Sequence, residues 1–266
     1  MLNIIVCMKQ VPLSSKVEID EETGNLKRMG AAARTNPFDL FALECALRIR
    51  EQVGGTVTVL TMGPGQAESM LRDAYRMGAD AGVILSDRKF AGSDVLATSY
   101  TLSQGIRLLR SEGGVDLILC GRQTTDGDTA QIGPAIAEHL HIPHAAWVNE
   151  ITHVDRESIR VRQDLASVFQ ISEMRFPCLI TVDKDICVPR LPSYRRKAEA
   201  AAKPIRTVTL ADLPDPDLSR FGLVGSPTTV ERIFPPPAGN GSVTLEGSAR
   251  EKAGKLFELL SAAKYV

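Results

Sequence analysis

From residue 1 to about residue 185, short apolar runs alternate with longer stretches whose apolar positions recur every three or four residues. Leu2 to Met8, Thr56 to Met62, Gly82 to Leu85 and Val115 to Cys120 are almost wholly apolar, as strands buried on both faces are. Strands of this kind separated by helices predict an α/β fold, a doubly wound, mostly parallel, Rossmann-like sheet.

The helices between them carry their own start and stop signals. Asn36 suits an N-cap, Pro37 the first helical position and Asp39 the positive first turn, while Leu40, Leu43 and Leu47 recur at helical spacing up to Gly54 and Gly55. A second helix is predicted over Gln66 to Met77, ending at Gly78. A third runs from about Ser93 to Leu109, and a fourth from about Thr129 to Leu140 with Ile132, Ile136 and Leu140 on one stripe.

After Pro143 the pattern turns β-rich. Ala145 to Thr152, Ser158 to Arg162 and Ala166 to Ile171 read in part as an antiparallel hairpin region, followed by a buried strand at Cys178 to Val182. Beyond Asp185 the basic run Arg195, Arg196 and Lys197, an alanine-rich stretch and three successive prolines show no compact core before a last helix at about Ser248 to Leu260. The sequence thus divides into residues 1–185, an α/β domain, and residues 186–266, an extended C-terminal arm that needs another surface to lie on.

Composition narrows the function classes. With 44% hydrophobic residues the chain can bury a full core, and 31 basic against 32 acidic residues leave a net charge of -1, with no general pull toward nucleic acid or an anionic membrane. No apolar run is long enough for membrane insertion and the first residues lack the features of a signal peptide, so the cytoplasm is the expected location. The five cysteines are scattered, which suggests reduced core thiols; the cluster of His139, His141 and His144 lacks the acidic or thiol ligands a metal site needs.

In an open parallel sheet ligands bind beyond the carboxyl ends of the strands. The residues to read are therefore Cys7 to Gln10, Met62 to Gly65, Asp87 to Thr98 and Gly121 to Thr129. In the last of these, Gly121, Gln123, Thr124, Asp126, Gly127, Asp128, Thr129, Ala130 and Gln131 leave a strand and enter a helix. Its glycines, hydroxyls and helix-start amides suit a nucleotide pyrophosphate. The same residues also read as an ordinary turn and N-cap, with Asp126 and Asp128 capping amides or accepting from ribose hydroxyls. In the segment after Leu85, Ser93 or Asp94 is placed at an N-cap with Thr98 one turn on and Arg88 close enough to neutralise phosphate; capping alone also accounts for it.

Other nucleotide motifs are missing: no Gly-x-Gly-x-x-Gly opens the first helix and there is no P-loop. Ser111 to Asp116 has the look of an ATP pyrophosphatase loop but precedes its strand. No nucleophile stands beside a base in a recognisable pattern, so any redox chemistry belongs to a cofactor.

Cys7-Met8-Lys9-Gln10-Val11-Pro12, Asn36-Pro37-Phe38-Asp39, Thr61-Met62-Gly63-Pro64, Met77-Gly78-Ala79-Asp80 and Gly121 to Gln131 occur in an order and spacing that resemble electron transfer flavoprotein beta subunits along nearly the whole chain. The resemblance implies a heterodimer with an alpha subunit that holds the electron-exchanging FAD. It implies an adenine nucleotide bound through Cys7, Asn36 to Asp39, Met62 with Gly63, and Gly121 to Ile132, and places Phe38 near the alpha flavin. In one branch of that family the beta nucleotide is AMP, a structural ligand; in the electron-bifurcating branch it is a second FAD that takes hydride from NADH.

Asp87-Arg88-x-Phe90-x-Gly92-Ser93-Asp94-x-x-Ala97-Thr98-Ser99 resembles the bifurcating pattern, with Ser93 in place of the usual Ala and Val95 in place of the usual Thr. The second change removes a hydroxyl, a loss on the order of 1 kcal/mol. The resemblance further implies one electron passing to an acyl-CoA dehydrogenase or similar flavoprotein and one to ferredoxin or flavodoxin. Val188 to Lys203 would be the loop that docks the dehydrogenase, with Tyr194 as anchor beside Arg195, Arg196 and Lys197. Two other readings stand beside it: the AMP-binding electron carrier and a free-standing nucleotide-dependent enzyme.

Overall fold

The computed structural model of the chain describes residues 1–13, 33–165, 167–231 and 242–266. Ala166, which opens one strand in the sequence reading, and the proline stretch at 234–241 lie outside the described residues. The chain divides into two units, Met1–Glu231 and Arg232–Val266.

The larger unit contains β1 (Leu2–Cys7), β2 (Gln10–Pro12), β3 (Ala33–Thr35), α1 (Pro37–Val53), β4 (Gly55–Met62), α2 (Glu68–Met77), β5 (Ala81–Leu85), α3 (Val95–Gly113) and β6 (Leu117–Gly121). It continues through α4 (Ile132–Leu140), β7 (His144–Val154), β8 (Ser158–Asp164), β9 (Phe169–Arg175), β10 (Cys178–Val182), α5 (Lys197–Ala202) and β11 (Ile205–Val208). A nine-stranded sheet runs in the order β11-β5-β4-β1-β6-β10-β7-β8-β9. Neighbours are parallel from β11 to β7, and β8 and β9 complete the sheet antiparallel, as the β-rich pattern after Pro143 implies. The α/β class expected from the alternating pattern is the one observed.

Burial on both faces follows from the two-residue period of a strand. Leu2, Ile4 and Val6 of β1 enter one core with Leu43 and Leu47 of α1 and Leu71 of α2. Ile5 and Cys7 enter the other with Tyr100 and Ile106 of α3 and Ile136 of α4. A strand serving two cores has no polar face, which is why the four runs read as continuously apolar.

Several element ends shift by two to four residues from the sequence reading, and two differences matter most. The fourth helix begins at Ile132, three residues later than its pattern suggests, because Asp128 and Ala130 take left-handed backbone angles (φ 53° and 55°) and hold the chain out of the helix. Between residues 186 and 231, within the stretch where no core is legible, the chain folds back on its own sheet. Here β11 pairs with β5, and Leu210, Leu213 and Phe221 join the core of α3 and α4. Phe221 packs against Phe90 and Tyr100 with ring centroids 5.6 and 5.4 Å away. These few apolar residues are irregularly spaced and carry no period to read.

The start of this return segment is clamped to α1 by charge. Glu44, buried in α1, accepts from the backbone and the guanidinium of Arg190 at 3.0 and 2.8 Å, and Arg190 also reaches Glu51 at 2.7 Å. Burial works to raise the Glu44 carboxyl, but the bonds from Arg190 and Arg48 outweigh it and hold it below its ordinary value.

In the smaller unit α6 (Ala249–Ala262) starts with a reciprocal capping box between Ser248 and Glu251. None of its residues is buried, and Leu256, Phe257 and Leu259 are exposed.

Truncating Phe221→Ala removes a fully buried ring that fastens the return segment to α3. The expected loss is about 3–4 kcal/mol of stability, measured by urea denaturation. A loss near zero would mean that residues 209–225 are not part of the folded core.

Candidate functional site

The strand order reverses direction between β1 and β6: β4 and β5 lie to one side of β1, and β10 and β7 to the other side of β6. Chains leaving these two strands diverge to opposite faces of the sheet and open a crevice at its carboxyl edge. Three sequence segments arrive there, Cys7 to Lys9 from β1, Asn36 to Asp39 at the start of α1, and Gly121 to Gln131 from β6.

Asp39 lies at the base of the crevice. It is buried, and its Oδ2 accepts from the Lys9 amide at 2.7 Å, with further bonds from Asn36 and the Gly121 backbone. Burial pushes its carboxyl up to about 7 in spite of those bonds. The chain around it has no spare room: a Cβ on Gly121 would collide with the Asp39 carboxyl and with Phe38, which itself is half-buried. Glycine at 121 is required by this close approach.

Asn36 does a different job from the N-cap expected of it. Its side chain makes no cap bond to α1. Instead Nδ2 donates to the Gln123 carbonyl at 2.8 Å, and Oδ1 accepts from the Thr125 amide at 3.3 Å. A fully buried amide side chain thus bridges the start of α1 to the loop after β6. The helix start is left to Pro37 and Asp39.

Within that loop the two carboxylates are engaged, and neither caps α4. Lys9 Nζ reaches both oxygens of Asp126 at 2.8 and 2.7 Å. Partial burial opposes ionisation of Asp126, but Lys9 and Thr124 hold its carboxyl below the ordinary value. Gln123 donates to Asp128, and the Asp128 and Gly127 amides bond back to Thr124. The amides of Thr129, Ala130, Gln131 and Ile132 have no hydrogen-bond partner among the described residues. A run of free amides at a helix start, with the nearby carboxylates neutralised or tied, fits the oxygens of a phosphate group.

The second expected segment sits on the same edge, beyond β5. Asp94 caps α3 by accepting from the Ala97 amide at 3.0 Å, and its other oxygen accepts from Thr228 Oγ1 at 2.8 Å. Burial would raise the Asp94 carboxyl, but Ala97 and Thr228 hold it below the ordinary value. Ser93 spends its hydroxyl on the Phe90 carbonyl at 2.8 Å. Thr98 lies one turn into α3 and is partly exposed; Arg88 is exposed on the short turn that Asp87 caps. Met62 and Gly63 lie between, at the end of β4, with the Gly63 amide bonded to Leu85. Three strand spacings separate β5 from β6, about 14 Å.

Several participants escape a reading by motif. Lys9 is one, since nothing in the sequence pairs it with Asp126. Arg122 is another: it forms an ion pair with Asp183 at 2.9 Å and stacks 4.4 Å from the Trp147 ring centroid, while Trp147 holds a left-handed backbone angle (φ 58°) at a bulge beside β10. Ser226 and Thr228, which hold Asp94, come from the return segment. Away from the crevice, a cavity of about 540 Å³ lined by Tyr100, Arg107, His139 and Arg220 lies against α3 and α4.

The residues expected to meet a partner protein are exposed. Tyr194, Arg195, Arg196 and Lys197 precede and enter α5, with the Lys197 ammonium 5.8 Å from the Tyr194 ring centroid. The Ser193 amide and the Arg196 guanidinium bond to carbonyls at the end of α2, which fixes the backbone beneath them. No helix among the described residues is long and apolar enough to cross a membrane.

Comparison with known proteins bears on the family of the chain. Residues 23–213 match the family described as "Electron transfer flavoprotein domain". Protein FixA of Bradyrhizobium diazoefficiens is 42% identical over 259 residues, covering 96% of this chain and 90% of FixA. The electron transfer flavoprotein subunit beta of Thermoanaerobacterium thermosaccharolyticum is 41% identical over 260 residues, 98% of each chain. The caffeyl-CoA reductase-Etf complex subunit CarD of Acetobacterium woodii is 42% identical over 263 residues, covering 97% of this chain and 98% of CarD.

The buried Asp39 carboxyl has a consequence for pH. Its folded value of about 7 stands above the ordinary 3.8, so the protonated form is favoured by folding. The resulting stability is full below pH 3.8 and is lost as pH rises through 7. Between pH 5 and pH 8 this one group is expected to cost the folded state about 2–3 kcal/mol. Urea denaturation at the two pH values should show that difference in the native chain relative to Asp39→Asn; parallel curves would refute the assignment.

Proposed function

The chain belongs to the electron transfer flavoprotein family as a beta-type subunit, and we propose that its crevice holds an FAD that accepts hydride from NADH. The observation that carries this reading is the presence of two separate stations along the carboxyl edge. Free amides at Thr129 to Ile132 and the capped start of α3 at Asp94 to Thr98 lie on one edge, each beyond its own strand, β6 and β5, and those strands are about 14 Å apart by strand spacing. The single phosphate of AMP engages one such station, whereas a dinucleotide has the reach for both.

In this reading Thr129, Ala130 and Gln131 offer amides to the pyrophosphate, and Arg88, Asp94 and Thr98 lie toward the flavin end. Asn36 and Asp39 hold the loop and the β1 exit in register, and Lys9 keeps Asp126 from repelling phosphate. Cys7, Met62 and Gly63 line the strand ends between the two stations. When bound, the flavin supplies two-electron acceptance and one-electron release, and the protein sets its position and surroundings.

Beta subunits of this family pair with an alpha subunit. Residues 1–185 form the nucleotide-binding part of our assignment. Residues 186–266 supply the partner-facing loop around Tyr194 and the helix α6, whose exposed Leu256 and Phe257 suit packing on the alpha subunit. The likeness to a subunit of a caffeyl-CoA reductase-Etf complex supports assembly with a CoA-ester reductase; an acyl-CoA dehydrogenase or similar flavoprotein as one electron acceptor and ferredoxin or flavodoxin as the other complete the proposal.

Chromatography of nucleotides released from the heterodimer, made by co-expression with the alpha subunit, tests this directly. Two FAD per heterodimer and no AMP is the expected result. One FAD with one AMP would replace the proposal by the alternative, a simple electron carrier with AMP as a structural ligand.

A further inference from the structure

Cysteine placement in the fold is uneven. Cys7, Cys120 and Cys178 are buried within strands. Burial raises the Cys178 thiol to about 12, and Cys120 is also pushed well up, first by its bond with Cys7 and then by burial. Buried thiols away from solvent are inert.

Cys45 and Cys187 differ. They are 142 residues apart in sequence, yet their sulfurs lie 3.7 Å from one another, and Cys187 is partly exposed. Cys45 belongs to α1, while Cys187 follows the turn after β10 where Asp185 takes a left-handed angle (φ 67°). The two backbones are already held together: Glu44 grips Arg190 on one side of the pair, and Arg48 donates to the Val188 carbonyl at 3.3 Å on the other. A disulfide requires the sulfurs to close by about 1.7 Å.

We propose that Cys45 and Cys187 form a redox-active thiol pair that closes to a disulfide when the chain meets a two-electron oxidant of the peroxide class. Cys187 is the attacking thiol, because it is the more exposed of the two, and the bond from Cys45 together with the Arg48 charge lowers its pKa. Its thiolate forms an S–O bond as the peroxide O–O bond breaks and water leaves. Cys45 then gives up its proton and attacks that sulfur, the S–O bond breaks and a second water departs. Two thiols and one peroxide yield one disulfide and two waters. The bond would tie α1 covalently to the root of the segment that carries Tyr194 to Lys197.

The test uses the full chain purified with its larger subunit, reduced, desalted and titrated with hydrogen peroxide. Remaining thiols are then alkylated and peptides mapped by mass spectrometry. The expected product is a Cys45–Cys187 cross-linked peptide, with this chain about 2 Da lighter and both changes reversed by dithiothreitol. In Cys45→Ser, Cys187 has no resolving partner and should advance to sulfinic acid; in Cys187→Ser, Cys45 should stay alkylatable. The oxidised native chain should also unfold at higher urea than the reduced one, a readout that needs no variant. The proposal is overturned if all five thiols remain alkylatable, if Cys187 over-oxidises in the native chain while Cys45 stays free, or if the bridge forms between Cys7 and Cys120.

Discussion

A carboxyl group taken out of water has to find donors for its oxygens or keep its proton, and Asp39 does some of each. Its donors are the Lys9 amide at the exit of β1 and the Gly121 backbone at the exit of β6, the two strands between which the sheet reverses direction. One side chain on α1 therefore fixes the separation of the strand ends that form the crevice. Glycine at 121, the bridging Asn36 and the placement of the 121–131 loop all depend on that packing. Displace the carboxyl, and the loop amides at 129–132 lose the frame that aims them.

The same helix reaches the other half of the molecule. Between about one and a half and two and a half turns beyond Asp39, Glu44, Cys45 and Arg48 hold residues 187–190, from which the exposed loop around Tyr194 departs. α1 is thus a rigid strut with the nucleotide crevice at its start and the root of the partner-facing segment along its length. Charge does most of the holding: Arg190 is shared between Glu44 and Glu51 in a fork that also takes in its own backbone amide.

Much of the sheet was legible because its physics is local. Strands serving two cores must be apolar throughout, and Cys178 to Val182 was delimited residue for residue on that ground. The crevice segments were legible too, since a ligand edge is defined by strand ends. What the loop residues do there was less so. Asn36 reads as a cap from its place before Pro37, yet its partners lie 87 and 89 residues away, a pairing no local pattern encodes. Lys9 with Asp126, and Thr228 with Asp94, were hidden for the same reason. The return segment escaped notice because a short edge strand and three scattered apolar side chains suffice once a sheet is already there to receive them.

Hydrogen exchange by mass spectrometry, comparing the heterodimer loaded with nucleotide and the same complex stripped of it, bears most directly on the central claim. The account predicts added protection at two separated stations of this chain, residues 121–133 and residues 87–98, with little change around the Tyr100 and Arg220 cavity. Protection limited to the cavity, or absent from both stations, would contradict it.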